Sequence, residues 1–262
     1  MRIDGNVQGI AEALSRLDGT MAVVLGGSRA QGLEDADSDY DLYVYHEGEA
    51  SDERRREILQ PFVTGAEIGN RFWETEDDCV MRSGVPLDII YRDVKGTEES
   101  LRRTVNEGIP SAGYTTCIWH NVISSRIICD QTGWFRELQM HYSVPYPDVL
   151  RRNIISHNRV LLSGSLASYD RQIEKAEKRR DIVSINHRTA AFLASYFDII
   201  FAMNRITHPG EKRLVTYCLQ NCPALPDDFE NNIKSLTGSS GEKAETVSRM
   251  IRLLDEALVR SL

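Results

Sequence analysis

Cysteine is scarce and scattered. Cys79, Cys117, Cys129, Cys218 and Cys222 are odd in number and mostly far apart, so no disulfide framework is expected, and buried free thiols in a reducing cytoplasm fit better. Cys218 and Cys222 are spaced to share a helix face, but no histidine or second cysteine pair completes a zinc site with them. Long apolar runs are missing as well. Nothing is long enough to span a membrane, and the opening MRIDGNVQGI has the pattern of neither a signal peptide nor an anchor. Basic charge is in deficit, with a formal net charge of -8, which argues against a protein that grips long nucleic acid by its phosphates. There is no internal repeat and no low-complexity tract.

What is present is a soluble composition, 41% hydrophobic and 27% charged over 262 residues, enough for one large domain or two small ones. The first half alternates short apolar runs with polar helical stretches. MAVVLGG (21–27), DLYVY (41–45), EIGNRFWE (67–74), VPLDIIYRD (85–93) and SSRIICD (124–130) read as strands, and SDERRREILQPF (51–62) as an exposed helix capped by Ser51 or Asp52. Two prolines in SVPYPDVL (143–150) mark a hinge. Beyond it the apolar residues fall at helical spacing. The expected architecture is therefore α+β: an N-terminal mixed sheet with flanking helices over 1–145, then an α-helical bundle over 146–262.

The segment GGSRAQGLEDADSDYDLYVY (26–45) carries the chemistry. Residues two apart on a strand share a face, so SDYDL aims Asp39 and Asp41 together. Paired carboxylates repel unless a cation lies between them, and oxygen-only ligands at this spacing suit Mg²⁺. A lone pair of this kind is more often an exposed strand start, but the preceding turn shifts the balance. Gly26 and Gly27 let the chain turn sharply after a strand, and Ser28-Arg29-Ala30 then opens a helix whose free N–H groups receive an anion. This is neither a Walker loop, since no GKS or GKT follows, nor a dinucleotide fingerprint, since the glycine spacing differs.

GGSRAQG followed by SDYDL resembles the signature of the nucleotidyltransferase superfamily, which includes the aminoglycoside nucleotidyltransferases and DNA polymerase beta. The resemblance implies a third carboxylate on a later strand, and Asp88, the one acid inside PLDIIY, fits. It further implies that Asp39, Asp41 and Asp88 hold Mg²⁺ (two ions) and form the catalytic set, with Asp88 as ligand or general base. Gly27, Ser28 and Arg29 would then meet the triphosphate of ATP or another nucleoside triphosphate. The reaction implied is attack of an acceptor hydroxyl on the α-phosphorus with release of pyrophosphate.

Glu74 in FWETEDD is a second candidate base or substrate contact, although an exposed acidic loop is the plainer reading. In NRITHPGEKRLVTY (204–217) a Pro-Gly break is followed by basic residues. On pattern alone this is a helix–helix turn with solvated charges. The stretch FLASYFDIIFAMNRITHPGEKR, however, resembles the helical region of bacterial nucleotidyltransferase-like proteins of unassigned function. That resemblance makes Lys212 a nucleotide-binding candidate and Arg213 and His208 weaker ones. RNIISH (152–157) loosely matches the Arg and His pattern of HEPN ribonucleases, a spacing that helices produce by chance.

The reading is a cytoplasmic, Mg²⁺-dependent nucleotidyltransferase that moves a nucleoside monophosphate, AMP from ATP foremost, to a hydroxyl of a small aminoglycoside-like acceptor. Neither a membrane nor a long nucleic acid is expected as a partner. Two rivals stand beside it: an antitoxin-like enzyme that modifies a protein or RNA partner, and an inactive nucleotide sensor. All three carboxylates are present, which counts against the sensor.

Overall fold

A computed structural model describes residues 3–32, 38–238 and 242–261. The chain has an α+β fold and divides into two compact units. Met1–Arg102 and Asn121–Val144 make the first, while Arg103–His120 and Pro145–Leu262 make the second.

In the first unit the elements run α1 (Gly5–Leu14), β1 (Thr20–Leu25), α2 (Gly27–Gln31), β2 (Tyr40–His46), α3 (Asp52–Leu59), β3 (Val63–Asn70), β4 (Thr75–Met81), β5 (Pro86–Asp93) and α4 (Val94–Leu101). Helix α5 (Cys117–Ser124) crosses the division after His120 and leads to β6 (Arg126–Asp130) and α6 (Trp134–Tyr142) of the first unit. The six strands form one sheet in the order β3-β4-β5-β2-β1-β6. It is mixed, because β2 and β5 run parallel and the other neighbours antiparallel.

One face of this sheet is apolar. Leu42 and Val44 of β2, Leu87, Ile89 and Tyr91 of β5, and Cys79 and Met81 of β4 pack with Val7, Ile10, Ala11 and Leu14 of α1 and Leu59 of α3. The α1 residues recur at i, i+3, i+4 and i+7, and Asp4 caps the helix by accepting from the Asn6 amide at 2.8 Å. Strand periodicity sends the alternate residues, Asp41, Tyr43 and Tyr45 on β2 and Asp88, Ile90 and Arg92 on β5, to the opposite face. At one end of that face α6 packs against Tyr45 through Phe135, with ring centroids 4.9 Å apart. The acids stand at the other end.

Strand β4 differs from expectation. Its sequence, TEDDCVM, has three consecutive acids and reads as loop, whereas the strand expected at 67–74 starts earlier and ends at Asn70. Tertiary pairing overrides a poor strand propensity here. Asp77 points to the core side, where it is fully buried, accepts from Tyr91 Oη and the Gly69 amide at 2.8 Å each, and pairs with Arg55 Nε at 3.2 Å. Arg55, itself fully buried on α3, also reaches Glu49 and Asp52 and stacks on Tyr91.

The second unit holds α7 (Asp148–Leu162), α8 (Tyr169–Lys178), α9 (Ile182–Asn204), α10 (Leu214–Asn221), α11 (Phe229–Thr237) and α12 (Lys243–Arg260). Its core gathers Phe192, Tyr196, Ile200 and Phe201 of α9 with Ile233, Met250 and Leu254. The segment 103–120, assigned to the first domain by sequence pattern, belongs to this unit. Asp198 of α9, 1% exposed, accepts from the Thr115 amide at 3.1 Å and the Thr115 hydroxyl at 2.6 Å, while Asn153 donates to the Gly108 carbonyl at 2.7 Å. These partners lie 45 to 83 residues away in the chain and leave no local signature.

Candidate active site

Strand register assembles the acidic site. Asp41 of β2 stands opposite Asp88 of β5, Asp88 opposite Asp78 of β4, and Asp78 opposite Glu67 of β3. Neighbouring strands are about 4.8 Å apart, so these four carboxyl-bearing positions form a row across the sheet. Asp39 stands at the Asp41 end and Glu76 beside Asp78. Ligand oxygens of Asp39, Asp41 and Asp88 come within 4.8 Å of one another, as do those of Glu76, Asp78 and Asp88. Glu76 records the electrostatic strain: burial first, then the charges of Asp78 and Asp88, push its carboxyl up to about 7.

Glu76 and Asp78 were not anticipated. The signal was present as alternation in TEDDCVM, where Glu76 and Asp78 fall on one face and Asp77 on the other, but it needs β4 to be recognised as a strand.

The glycine turn lies against the same carboxylates. The Gly26 amide donates to the Asp41 carbonyl at 2.8 Å. Gly27 has φ +61°, and a Cβ there would sit 1.8 Å from Asp41 Oδ2. A Cβ on Gly26 would meet the Tyr43 ring at 2.2 Å. Both positions require glycine, one for backbone conformation and space, the other for space alone. Ser28 follows half-buried in the first turn of α2.

Family comparison now bears on this geometry. The family "Nucleotidyltransferase domain" matches residues 7–106, the span that carries the turn and the acids. Residues 7–106 form a nucleotidyltransferase domain. Residues 115–214 match "Domain of unknown function (DUF4037)". No curated protein matches the chain. Among solved structures it is similar to a nucleotidyltransferase-like protein from Exiguobacterium sibiricum, with TM-score 0.43 and 11% identity over 95% of this chain and 72% of that one. It is also similar to an aminoglycoside 6-adenyltransferase from Bacillus subtilis, with TM-score 0.35 and 10% identity over 100% and 92% of the two chains. A third is the spectinomycin adenyltransferase AAD(9) from Enterococcus faecialis, solved with ATP and spectinomycin, with TM-score 0.34 and 14% identity over 95% and 97%.

Within this nucleotidyltransferase domain the residues picked out by sequence separate into groups. Asp39, Asp41 and Asp88 come together, with Gly27 against Asp41 and Ser28 next to it in the chain. Arg29, expected at the triphosphate, is engaged with backbone carbonyls and an aromatic ring. Its Nε donates to the Asp39 carbonyl at 2.8 Å and the Ser38 carbonyl at 3.1 Å, and its guanidinium lies 4.1 Å above the Tyr40 ring. Arg29 thus fixes the backbone that delivers Asp39, because a planar fork meets carbonyls and an aromatic face at once.

Glu74, the alternative base, is held by Arg92 through two bonds of 2.9 and 2.8 Å. Both Glu74 oxygens are occupied by the Arg92 fork, which makes Glu74 a structural partner of Arg92.

Lys212, Arg213 and His208 belong to the second unit. Lys212 and Arg213 are exposed on the turn before α10. His208 does not fit a phosphate-reaching role: it is fully buried, and its Nδ1 accepts from the Gly210 amide at 3.1 Å and lies 3.4 Å from Cys117 Sγ. Burial pushes the imidazole down to about 3, so it carries no charge to offer an anion. Arg152 and His157, the loose HEPN pattern, are both exposed on α7.

No helix among the described residues is long and apolar enough to cross a membrane.

The donor set fits a hard divalent cation. Three carboxylates offer oxygens alone, their atoms already lie within 4.8 Å of one another, and Gly27 leaves the Asp41 carboxylate its room.

Proposed function

We propose that the chain transfers a nucleoside monophosphate, AMP from ATP, to a hydroxyl of a small aminoglycoside-like acceptor and releases pyrophosphate. The single observation that carries this is the register of β2 and β5, which sets Asp41 opposite Asp88 beneath the Gly26–Gly27 turn, inside a nucleotidyltransferase domain.

Asp39, Asp41 and Asp88 would hold Mg²⁺, which supplies positive charge to the triphosphate and to the developing negative charge of the transition state. Gly27 and Ser28 would present backbone amides and a hydroxyl to phosphate oxygens, while the Gly26 amide stays on the Asp41 carbonyl. The acceptor oxygen bonds to the α-phosphorus as the bond from that phosphorus to the bridging pyrophosphate oxygen breaks. The hydroxyl proton passes to a carboxylate of the acidic row, with Asp88 at its centre. The remaining acids, Asp78, Glu76 and Glu67, give the site a surplus of negative charge that favours an acceptor bearing ammonium groups.

The test is pyrophosphate release by the purified protein with Mg²⁺, each of the four nucleoside triphosphates and a mixture of aminoglycosides. Acceptor-dependent release that is strongest with ATP and absent from Asp39→Ala supports the proposal. Release that ignores the acceptors, or that survives Asp39→Ala, refutes it.

A further inference from the structure

Arg92 stands four residues beyond Asp88 on β5, on the same face of the sheet, and its side chain is only 11% exposed. Its contacts converge. Nε and Nη2 grip both oxygens of Glu74, Nη1 donates to Asn121 Oδ1 at 2.8 Å, and the guanidinium lies 4.3 Å above the Tyr43 ring. The same two neighbours, Tyr43 and Asn121, hem in Gly26. A Cβ at that position would lie 2.2 Å from Tyr43 Cε2 and 3.3 Å from Asn121 Nδ2. Gly26 in turn is tied by its amide to the carbonyl of Asp41.

We propose that Arg92 is a positioning residue of the glycine turn: it clamps Tyr43 and Asn121, sets the level at which Gly26–Gly27–Ser28 rides on Asp41, and so governs affinity for a nucleoside triphosphate. The proposal rests on the nucleotidyltransferase reading for its ligand but on Arg92's own contacts for its geometry. Only a planar, permanently charged fork can fill it. A lysine ammonium can meet Glu74 or Asn121, but it cannot bind a carboxylate in bidentate fashion while lying flat on an aromatic ring. Glu74, which the sequence marked as a possible base, acquires a different task as the residue that holds the fork in place.

The decisive experiment compares Arg92→Lys with the unaltered protein for Mg²⁺-ATP binding by calorimetry, for Mn²⁺ binding without nucleotide, and for thermal melting. We expect nucleotide affinity to fall at least tenfold while Mn²⁺ affinity changes less than twofold. Tyr43→Phe keeps the ring and should bind ATP normally. Tyr43→Leu should match Arg92→Lys, and the double variant should be no weaker than either single one, since both break one unit. Unchanged ATP affinity in folded Arg92→Lys, or losses that multiply in the double variant, would overturn the proposal.

If Arg92→Lys does not fold, Glu74→Gln opens the fork without altering the buried arginine. A measurable loss of ATP affinity is then expected, and none would count against the clamp. If the unaltered protein binds none of the four nucleotides, the transfer reading fails while the clamp is judged alone, by hydrogen exchange at the Gly26 amide. Exchange at least tenfold faster in Arg92→Lys or Glu74→Gln supports it, and equal exchange refutes it.

Discussion

A Cβ on Gly27 would lie 1.8 Å from Oδ2 of Asp41. The turn and the carboxylate therefore occupy adjoining space, and the turn can exist only without a side chain. Gly27→Ala must expel the Asp41 carboxylate from its place and adopt φ +61°, a region that costs a non-glycine residue about 1–3 kcal/mol. We expect it to lose Mn²⁺ binding by more than tenfold, measured by electron paramagnetic resonance, and to melt at a lower temperature. Gly32→Ala, at a position with open space around it, is the control for a left-handed backbone alone.

The acidic row is destabilising until a cation joins it. Carboxylates whose oxygens lie within 4.8 Å of one another repel, and Glu76, pushed up to about 7 first by burial and then by Asp78 and Asp88, records it. Divalent metal should raise the melting temperature of the unaltered protein, and Asp88→Asn should melt higher than the unaltered protein in the absence of metal. The same variant should lose most of the metal-dependent gain. Scanning calorimetry with and without Mg²⁺ checks both directions, and a metal response that survives Asp88→Asn would remove Asp88 from the ligand set.

Much of this site was legible in the sequence, and the reasons are local. Alternation in SDYDL puts Asp39 and Asp41 together without knowledge of any partner strand, and the double glycine announces its turn by composition. Asp88 was legible as an acid inside an apolar strand. Glu76 and Asp78 were not, because β4 is a strand by its pairing with β3 and β5, and Arg55, Tyr91 and Gly69 receive the Asp77 that it turns inward. Arg29 and Glu74 had the right chemistry for the roles expected of them, but their partners, the Ser38 and Asp39 carbonyls and Arg92, are set by folded geometry. His208 fails for a similar reason: burial, invisible at the level of a Pro-Gly break, removes its charge.

In the helical unit Asp198 accepts from the Thr115 amide, the Thr115 hydroxyl and Asn158 Nδ2, all buried. Asp198→Ala strands the Thr115 amide, while Asn158 keeps the Ser111 and Ile154 carbonyls and the Thr115 hydroxyl keeps Ser111. We expect a loss of about 2 kcal/mol in denaturant unfolding, within the range of about 1–3 kcal/mol for an unsatisfied buried donor. A change below 1 kcal/mol would mean that the network carries little stability.

Acid should weaken the same unit. Burial pushes His120 down to about 4 and His208 to about 3, so the unfolded chain binds protons below pH 6.5 that the folded chain refuses. Their contribution is complete above pH 6.5 and is lost as the pH falls toward 4 and 3. Asp198 acts in the opposite sense. Burial raises it to about 6, so its contribution is complete below about 3.8 and is lost as the pH rises through 6, which partly offsets the histidines between those values. The net expectation is a melting temperature that falls from pH 7 to pH 4. The fall should be shallower in His208→Asn, which keeps an acceptor for the Gly210 amide without a titrating ring.

The most direct test follows the label. The protein is incubated in a bacterial extract with Mg²⁺ and ATP labelled at the α-phosphate, with and without aminoglycosides, beside an Asp39→Ala control. The expected result is label in the small-molecule fraction that the control lacks. Equal label in the control would contradict the assignment of the carboxylates, and label confined to protein or RNA would contradict a small-molecule acceptor.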